Sequence, residues 1–358
     1  MILGKKGEYS VQDLKKRLMS RPVQACAACR IDCGGTLDIK TFYYPLRHLS
    51  PCTFNIALDL KTRVTLHPFD SGRIKISSTG FDTEVHPAGQ APFDSPLGLM
   101  FAVAACFHVG GVHVDIASES PPRSALGGSS AAAVALIGAL SMALEGRVSQ
   151  ENTVVMAHAI EEAVAGLPCG MQDQLAATYG GVHAWYWPGN PDDPPFRGRK
   201  VVSEKDLESL ERRLLVAYCG VPHESRNTNR KWIEGYVSGR QRQYWVEIVK
   251  TTRTFVRALS VKDWTSAVHA MNKEVELRRE LTPEVFDEVG VALVEAARDV
   301  DCAARFAGAG GGGCVWALGD TERIAELRVA WTNTLSQRDE AGLLDPKIDR
   351  KGLEVSFY

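Results

Sequence analysis

Hydrophobic and polar positions change their period several times along the chain. Residues 23–33 are small and apolar with a few polar interruptions, and Gly34-Gly35 closes the run, which predicts a strand. Residues 53–66 and 73–78 carry β-branched side chains with polar punctuation, the pattern of antiparallel strands. Residues 96–109 predict an apolar helix and 113–119 a strand. From Ala131 to Leu144 the chain is apolar nearly all round, so it predicts a helix buried on every side, stopped by Gly146. Residues 152–165 predict a second helix, with His158, Glu161 and Glu162 set among alanines, and 180–186 a strand. Further on, 214–219 and 314–318 read as strands. Residues 227–260 (largely), 284–299 and 324–335 read as helices, and 10–20 as a short polar helix.

Strands and helices are mixed without a regular β-α-β alternation, which favours an α+β fold over a doubly wound sheet. The chain has 358 residues, enough for two domains. The Pro-, Gly- and Asp-rich stretch 188–198 is the weak boundary signal, and a division into 1–205 and 206–358 is expected. With 45% apolar and 23% charged residues the composition is that of a soluble globular protein. The net charge of −2 speaks against a nucleic-acid binder, so any anion site must gather its positive charge locally. Charged residues, histidines and glycines interrupt the apolar runs, so no membrane span is expected. The charged N-terminal segment lacks a signal-peptide core, and a cytoplasmic location is the expectation. Nine scattered cysteines, an odd number, argue for reduced thiols. Cys26 and Cys29, with Cys33 nearby, lack the second pair or His cluster of a four-ligand metal site, so they read as strand thiols.

The chemistry-bearing segment runs from Pro121 to Val134. A Pro pair leads into Gly127-Gly128, then Ser129-Ser130, then the apolar helix. Glycines let the backbone approach an anion closely. Ser129 or Ser130 is suited to cap the helix, and the free N–H groups and positive dipole of a first helical turn bind phosphate. No Lys follows Gly128, so this is not a Walker A loop, and no Gly-x-Gly-x-x-Gly fingerprint is present there. A Gly-capped buried helix with no ligand is the bland alternative.

Pro122-x-x-x-Leu126-Gly127-Gly128-Ser129-Ser130-Ala131-Ala132 resembles the phosphate-binding motif of the GHMP kinases, which include galactokinase, homoserine kinase, mevalonate kinase and phosphomevalonate kinase. Ala125 and Gly128 replace the usual Gly and Ser or Thr, both small changes. Residues 306–314, Phe-Ala-Gly-Ala-Gly-Gly-Gly-Gly-Cys, resemble the third motif of that family, a glycine hairpin near the active site, which implicates Gly310 and Gly311. The resemblance implies an N-terminal domain like the second domain of ribosomal protein S5, a C-terminal ferredoxin-like domain, and ATP and Mg²⁺ as cofactors. The nucleotide phosphates would then lie on Pro122, Leu126, Gly127, Gly128, Ser129, Ser130 and Ala131.

The segment Gly-Leu-Pro-Cys-Gly-Met-Gln-Asp173-Gln, from Gly166, resembles the Gly-x-x-Asp-Gln of galactokinase and of bacterial heptose-phosphate kinases. An isolated Asp at a helix start is usually a cap; the resemblance gives Asp173 the role of base or orienting group for an attacking hydroxyl. The family's metal carboxylate lies twelve residues earlier, at Glu161, and Ser130 would share the Mg²⁺ with it. Arg30 matches an arginine that neutralises the transferring phosphate, and Asp38 an aspartate that binds sugar hydroxyls. Asp32, on the same strand face as Arg30, is its rival or an ion-pair partner. Gly34, Gly35 and Gln172 look like the heptose-phosphate kinase branch and are expected beside the substrate. The loop 220–229, with His223, is polar and suits a hydroxylated or phosphorylated ligand, or simply a helix start. Trp185, Tyr186 and Trp187 fit a sugar-stacking wall or a core cluster.

An ATP-dependent kinase acting on a hydroxyl of a sugar or sugar phosphate, the anomeric one by resemblance, is therefore the expectation, working as a monomer or homodimer. Mevalonate-type enzymes of the family carry Lys where Arg30 stands. They are the second reading, and a non-catalytic metabolite sensor on the same fold is the third.

Overall fold

The computed structural model describes residues 11–190, 192–222 and 225–357; His223 lies outside them. Eight strands form the larger sheet: β1 (Val23–Cys33), β2 (Cys52–Pro68), β3 (Arg73–Ser78), β4 (Phe81–Pro87), β5 (Val112–Ser118), β6 (Val182–Tyr186), β7 (Arg197–Lys200) and β12 (Glu354–Phe357). Four form the smaller one: β8 (Leu214–Tyr218), β9 (Ala303–Phe306), β10 (Cys314–Leu318) and β11 (Gly342–Leu344). The helices are α1 (Val11–Ser20), α2 (Lys40–Leu46), α3 (Gly98–Cys106), α4 (Gly128–Glu145), α5 (Gln150–Ala165), α6 (Gln172–Tyr179) and α7 (Leu207–Glu211). They continue with α8 (Ser225–Val237), α9 (Arg242–Ser260), α10 (Trp264–Leu281), α11 (Glu288–Asp299) and α12 (Thr321–Leu335). This is the expected two-domain α+β architecture.

The larger sheet runs β12-β1-β2-β5-β3-β4, and the long β2 splits its pairing. Its first half pairs with β6 and its second half with β5. The pairs are antiparallel except β3 with β5, which run parallel. The smaller sheet, β11-β8-β10-β9, is antiparallel throughout. Strand β1 is buried almost along its whole length because both its faces are covered. Helix α4 packs on one face, and residues from the smaller sheet reach its C-terminal half.

Helix α4 is 18 residues long and by length and composition alone is apolar enough to cross a membrane. The expectation that no apolar run reaches that length is corrected here: Ala, Leu, Val and Ile fill all its faces because α4 threads the core against β1, β2, α5 and α6. Gly138 lets it lie close to the late chain, since a Cβ there would stand 3.0 Å from Leu353. The Ser caps expected for it are absent. Gly127, with φ 79°, is the N-cap, and the chain enters the helix through a left-handed residue that favours glycine. Trp185 and Trp187 are 3% and 1% exposed and share a core cluster with Tyr43, Val154, Met171 and Leu175, so the core alternative holds for them.

The late segment returns to the larger sheet, where Val23 pairs with Phe357 and Cys26 with Glu354. Its approach is tied down at Asp349, whose carbonyl accepts from Gly181 N at 2.6 Å and whose carboxylate accepts from Gly352 N at 2.6 Å. Gly352 has φ 71°, and a Cβ there would meet Thr178 O at 2.4 Å and Gly180 N at 2.6 Å. Gly352→Ala is therefore expected to lower stability by about 1–3 kcal/mol through backbone strain and clash. Thermal unfolding checks it against Gly342→Ala, where the added methyl has open space and the Tm should stay put.

Candidate active site

One cavity of about 430 Å³ lies where the two sheets meet, and β1, the loop before α4, α5 and the start of α6 supply its polar wall. Arg30 sits near the end of β1, 4% exposed. Its backbone N donates to Leu126 O at 2.8 Å, which pins the loop before α4 to the strand. Its guanidinium holds Asp173 with both edges of the carboxylate, Nε to Oδ1 at 2.7 Å and Nη2 to Oδ2 at 2.9 Å. The remaining Nη1 donates to Ala125 O. A bidentate charge-assisted pair of this kind fixes orientation as well as distance.

Asp173 lies in the first turn of α6; Met171 is the cap, so the carboxylate is not used to close the helix. It faces Gly127, where a Cβ would stand 3.3 Å from Asp173 Oδ2. The α4 N-terminus, with its free N–H groups, thus opens within reach of Asp173. Pro122, Gly127, Gly128, Ser129 and Ser130 line the cavity. Leu126 and Ala131 do not; both are fully buried behind it and act through backbone geometry.

Ser130 is turned the other way from a cap. Its hydroxyl donates to Glu161 Oε2 at 2.8 Å, and Gln174 Nε2 donates to the same oxygen at 2.6 Å. Glu162 points outward and pairs with Lys40 at 3.3 Å. Burial pushes the Glu161 carboxyl up to about 7, and the charge of Asp173 adds to the effect. A buried carboxylate beside a hydroxyl and a side-chain amide is a set of hard oxygen donors that fits a divalent cation such as Mg²⁺. Gln174 is the Gln of the Gly-x-x-Asp-Gln resemblance, to which the sequence reading gives no role of its own.

Asp38 enters from the turn after β1. Its Oδ2 accepts from Gln172 N at 2.9 Å, while Oδ1 is buried with no hydrogen-bond partner among the described residues. Burial pushes this carboxyl up to about 6 against the pull of the Gln172 N–H. Gly170 lies against it so closely that a Cβ would overlap the carboxylate at 1.9 Å. Gln172 also lines the cavity, and its Oε1 is buried without a partner. Thr36 and Ser120 belong to the same wall and carried no sequence signal of their own, and Asn229 brings to it the end of the polar loop 220–229.

The expected glycines divide. Gly34 and Gly35 do not line the cavity: a Cβ at Gly34 would strike Thr252, and one at Gly35 would strike Asp32 at 2.5 Å. Gly310 and Gly311 also stand back, against Val285 and near Thr228, while Gly308 and Ala309 of the same loop reach the cavity. Gly34, Gly35 and Gly310 serve close packing of the wall rather than forming its surface, and Gly311 has a left-handed φ of 76° with only an ordinary contact to Thr228. The cavity continues into an apolar sector of Phe81, Leu97, Leu99, Met100 and Ile116, which is suited to a flat base and which hydrophobicity alone could not distinguish from core.

An acid that holds its proton more tightly when folded stabilises the fold below its unfolded pKa, and that contribution fades as pH rises through the folded value. For Glu161 the fading runs up through about 7. Glu161→Gln cannot ionise, so in metal-free buffer its Tm should improve relative to the natural chain on going from about pH 5 to about pH 8. An unchanged difference between the two curves would contradict the burial of this carboxylate.

Residues 97–181 match the family model for the GHMP kinases N terminal domain, and 255–337 match that for the GHMP kinases C terminal. Mevalonate kinase of Thermococcus onnurineus is 29% identical over 234 residues, which span 62% of this chain and 64% of that protein. Probable glucuronokinase 2 of Arabidopsis thaliana is 29% identical over 156 residues, 41% of this chain and 40% of its own. The solved D-glycero-D-manno-heptose 1-phosphate kinase from Bacteriodes thetaiotaomicron superposes with a TM-score of 0.72 at 18% identity, covering 93% of this chain and 98% of the other. With both family domains matched in order and the two-sheet fold around them, the chain belongs to the GHMP kinase superfamily.

Proposed function

We propose that this protein transfers the γ-phosphate of ATP to a hydroxyl, the anomeric one, of a sugar or sugar phosphate. The observation that carries the sugar reading is Asp38 Oδ1, a buried acceptor at the cavity with no donor among the described residues, next to Gln172 Oε1, which has none among them either. Buried acceptors call for donors, and a polyhydroxylated ligand brings several. A substrate lacking those hydroxyls leaves the two groups unsatisfied, which is a strong basis for selection.

In this reading the nucleotide phosphates lie on Gly127, Gly128, Ser129 and the first turn of α4. Ser130 and Glu161 hold the divalent cation, which neutralises charge on the phosphates when bound. Arg30 stabilises the transferring group and Asp173 orients the acceptor hydroxyl. Phosphoryl transfer asks for alignment more than for a strong base, and the guanidinium grip on both oxygens fixes the orientation of this carboxylate. The hydroxyl oxygen forms its bond to phosphorus, the bond to the ADP oxygen breaks, and the hydroxyl proton passes late to Asp173.

A second reading is a mevalonate-type kinase, favoured by the mevalonate kinases among the relatives. Against it stands Arg30, at the position where that branch is expected to carry Lys. The two readings part on a coupled ADP-release assay with Mg·ATP and free hexoses, 6-deoxyhexoses, heptose 7-phosphate, uronic acids and mevalonate. Turnover on a sugar supports the first, and turnover on mevalonate alone replaces it with the second.

Asp173→Asn keeps the size and should cut turnover by about 10²–10⁴-fold while ATP affinity, read by calorimetry, stays near that of the natural chain. Full activity in this variant would remove Asp173 from the chemistry.

A further inference from the structure

Beneath the cavity floor runs a chain of alternating charges that the transfer chemistry leaves unused. Asp32 is fully buried on β1, two residues from Arg30, with Oδ1 at 3.6 Å from Arg30 Nη1. The same Oδ1 accepts from the backbone N of Gly308 at 2.6 Å, in the glycine loop of the other sheet. Its Oδ2 accepts from Arg305 Nη1 on β9 at 3.1 Å, and that nitrogen also donates to the Asp32 carbonyl at 3.1 Å and to Phe306 O at 2.6 Å. Trp316 Nε1 donates to the Asp32 carbonyl as well, at 3.1 Å. Arg305 then grips Glu274 of α10 through Nε at 2.9 Å and Nη2 at 3.3 Å. Glu274 accepts from Arg278 Nε at 2.9 Å, and Arg278 reaches back across to the turn after β1. Its Nη1 donates to Thr36 Oγ1 at 2.9 Å and its Nη2 to Gly35 O at 2.6 Å.

The side chains of Asp32, Arg305, Glu274 and Arg278 are all 0% exposed. Burying four charges is costly, and well-packed apolar residues would dock two domains at least as firmly. What apolar packing does not supply is direction. Each end of this chain meets a cavity-lining group: Arg30 and Gly308 at one end, Thr36 at the other. Thr36 itself is held at φ 72°, a left-handed conformation that a β-branched residue rarely adopts unsupported. Charges alternate in sign from Asp173 through Arg30, Asp32, Arg305 and Glu274 to Arg278, so each is compensated by its neighbours.

We propose that Asp32 is a positioning residue which, through Arg305, Glu274 and Arg278, couples the docking of the smaller sheet to the placement of Arg30, Gly308 and Thr36. The proposal rests on the kinase reading for its turnover test only. Asp32→Asn is nearly isosteric but removes the charge that separates Arg30 from Arg305. Measured well below its Tm, it should lose about 10²-fold in kcat, the scale of a small misplacement of reacting groups. Its KM for ATP should change less than kcat, because Leu126 at the entry to α4 is held by the Arg30 backbone N–H, which Asp32 does not touch. Amide hydrogen exchange without any ligand should run about tenfold faster over residues 307–313, where a charged acceptor becomes a neutral one.

A variant with a lowered Tm but natural kcat and natural exchange would overturn the proposal, since a merely structural pair moves only the first. If Asp32→Asn does not fold, Glu274→Gln is read in the same way, with faster exchange over 34–39 and a smaller loss of kcat expected. Natural values there would equally overturn it. If the unaltered protein turns over no acceptor in the panel, the kinase reading falls, and the exchange measurement alone decides on the coupling.

Discussion

The grip of Arg30 on Asp173 is the contact on which the rest of the cavity depends. It joins strand β1 of the larger sheet to the first turn of α6. The same guanidinium and the Arg30 backbone hold Ala125 and Leu126, so the loop before α4 is set by the same residue. Break that pair and three elements lose their common reference. The pair sits in a place where a guanidinium is poorly hydrated, and its second neighbour Asp32 keeps it from facing Asp173 alone.

Around this pair the wall is built from opposites of ordinary design. Good cores avoid unpartnered polar atoms, yet Asp38 Oδ1 and Gln172 Oε1 are left unpaired. Good helices start with a side-chain cap, yet α4 starts on a left-handed glycine with its serines turned elsewhere. Both departures leave hydrogen-bonding capacity open at the cavity. Local rules that fail together in one place are the mark of a functional site rather than of poor packing.

The sequence made much of this legible. Strands β1, β8 and β10 and helix α4 could be read because β-branched runs and glycine punctuation mark them locally, whereas β9 and β11 were too short to stand out, and Arg30, Glu161 and Asp173 were expected together only through the family resemblance. Helix α10 was not anticipated, since its polar face, with Glu274 and Arg278, looks solvated in sequence and is buried only by tertiary pairing. The apolar sector with Leu97 and Met100 was read as helix core, because a base-sized recess and a packed interior use the same side chains. Gly34 and Gly310 illustrate the reverse error. A glycine is demanded wherever backbone passes close to something, and the sequence does not say whether that something is a ligand or Thr252. Strand β12 is short and polar on alternate residues, with nothing to show that its partner lies at the other end of the chain.

That last pairing bears on how the molecule is made. The neighbour of Val23 is Phe357, so the flank of β1 at residues 23–26 stays open until β12 has followed from the ribosome. The sheet that carries Arg30 is therefore closed from outside, by a strand arriving after the smaller sheet has been synthesised. An open strand flank invites pairing with other chains. Between the synthesis of β1 and the arrival of β12 that flank is open to misassembly, and a chaperone that shields it would act in this interval.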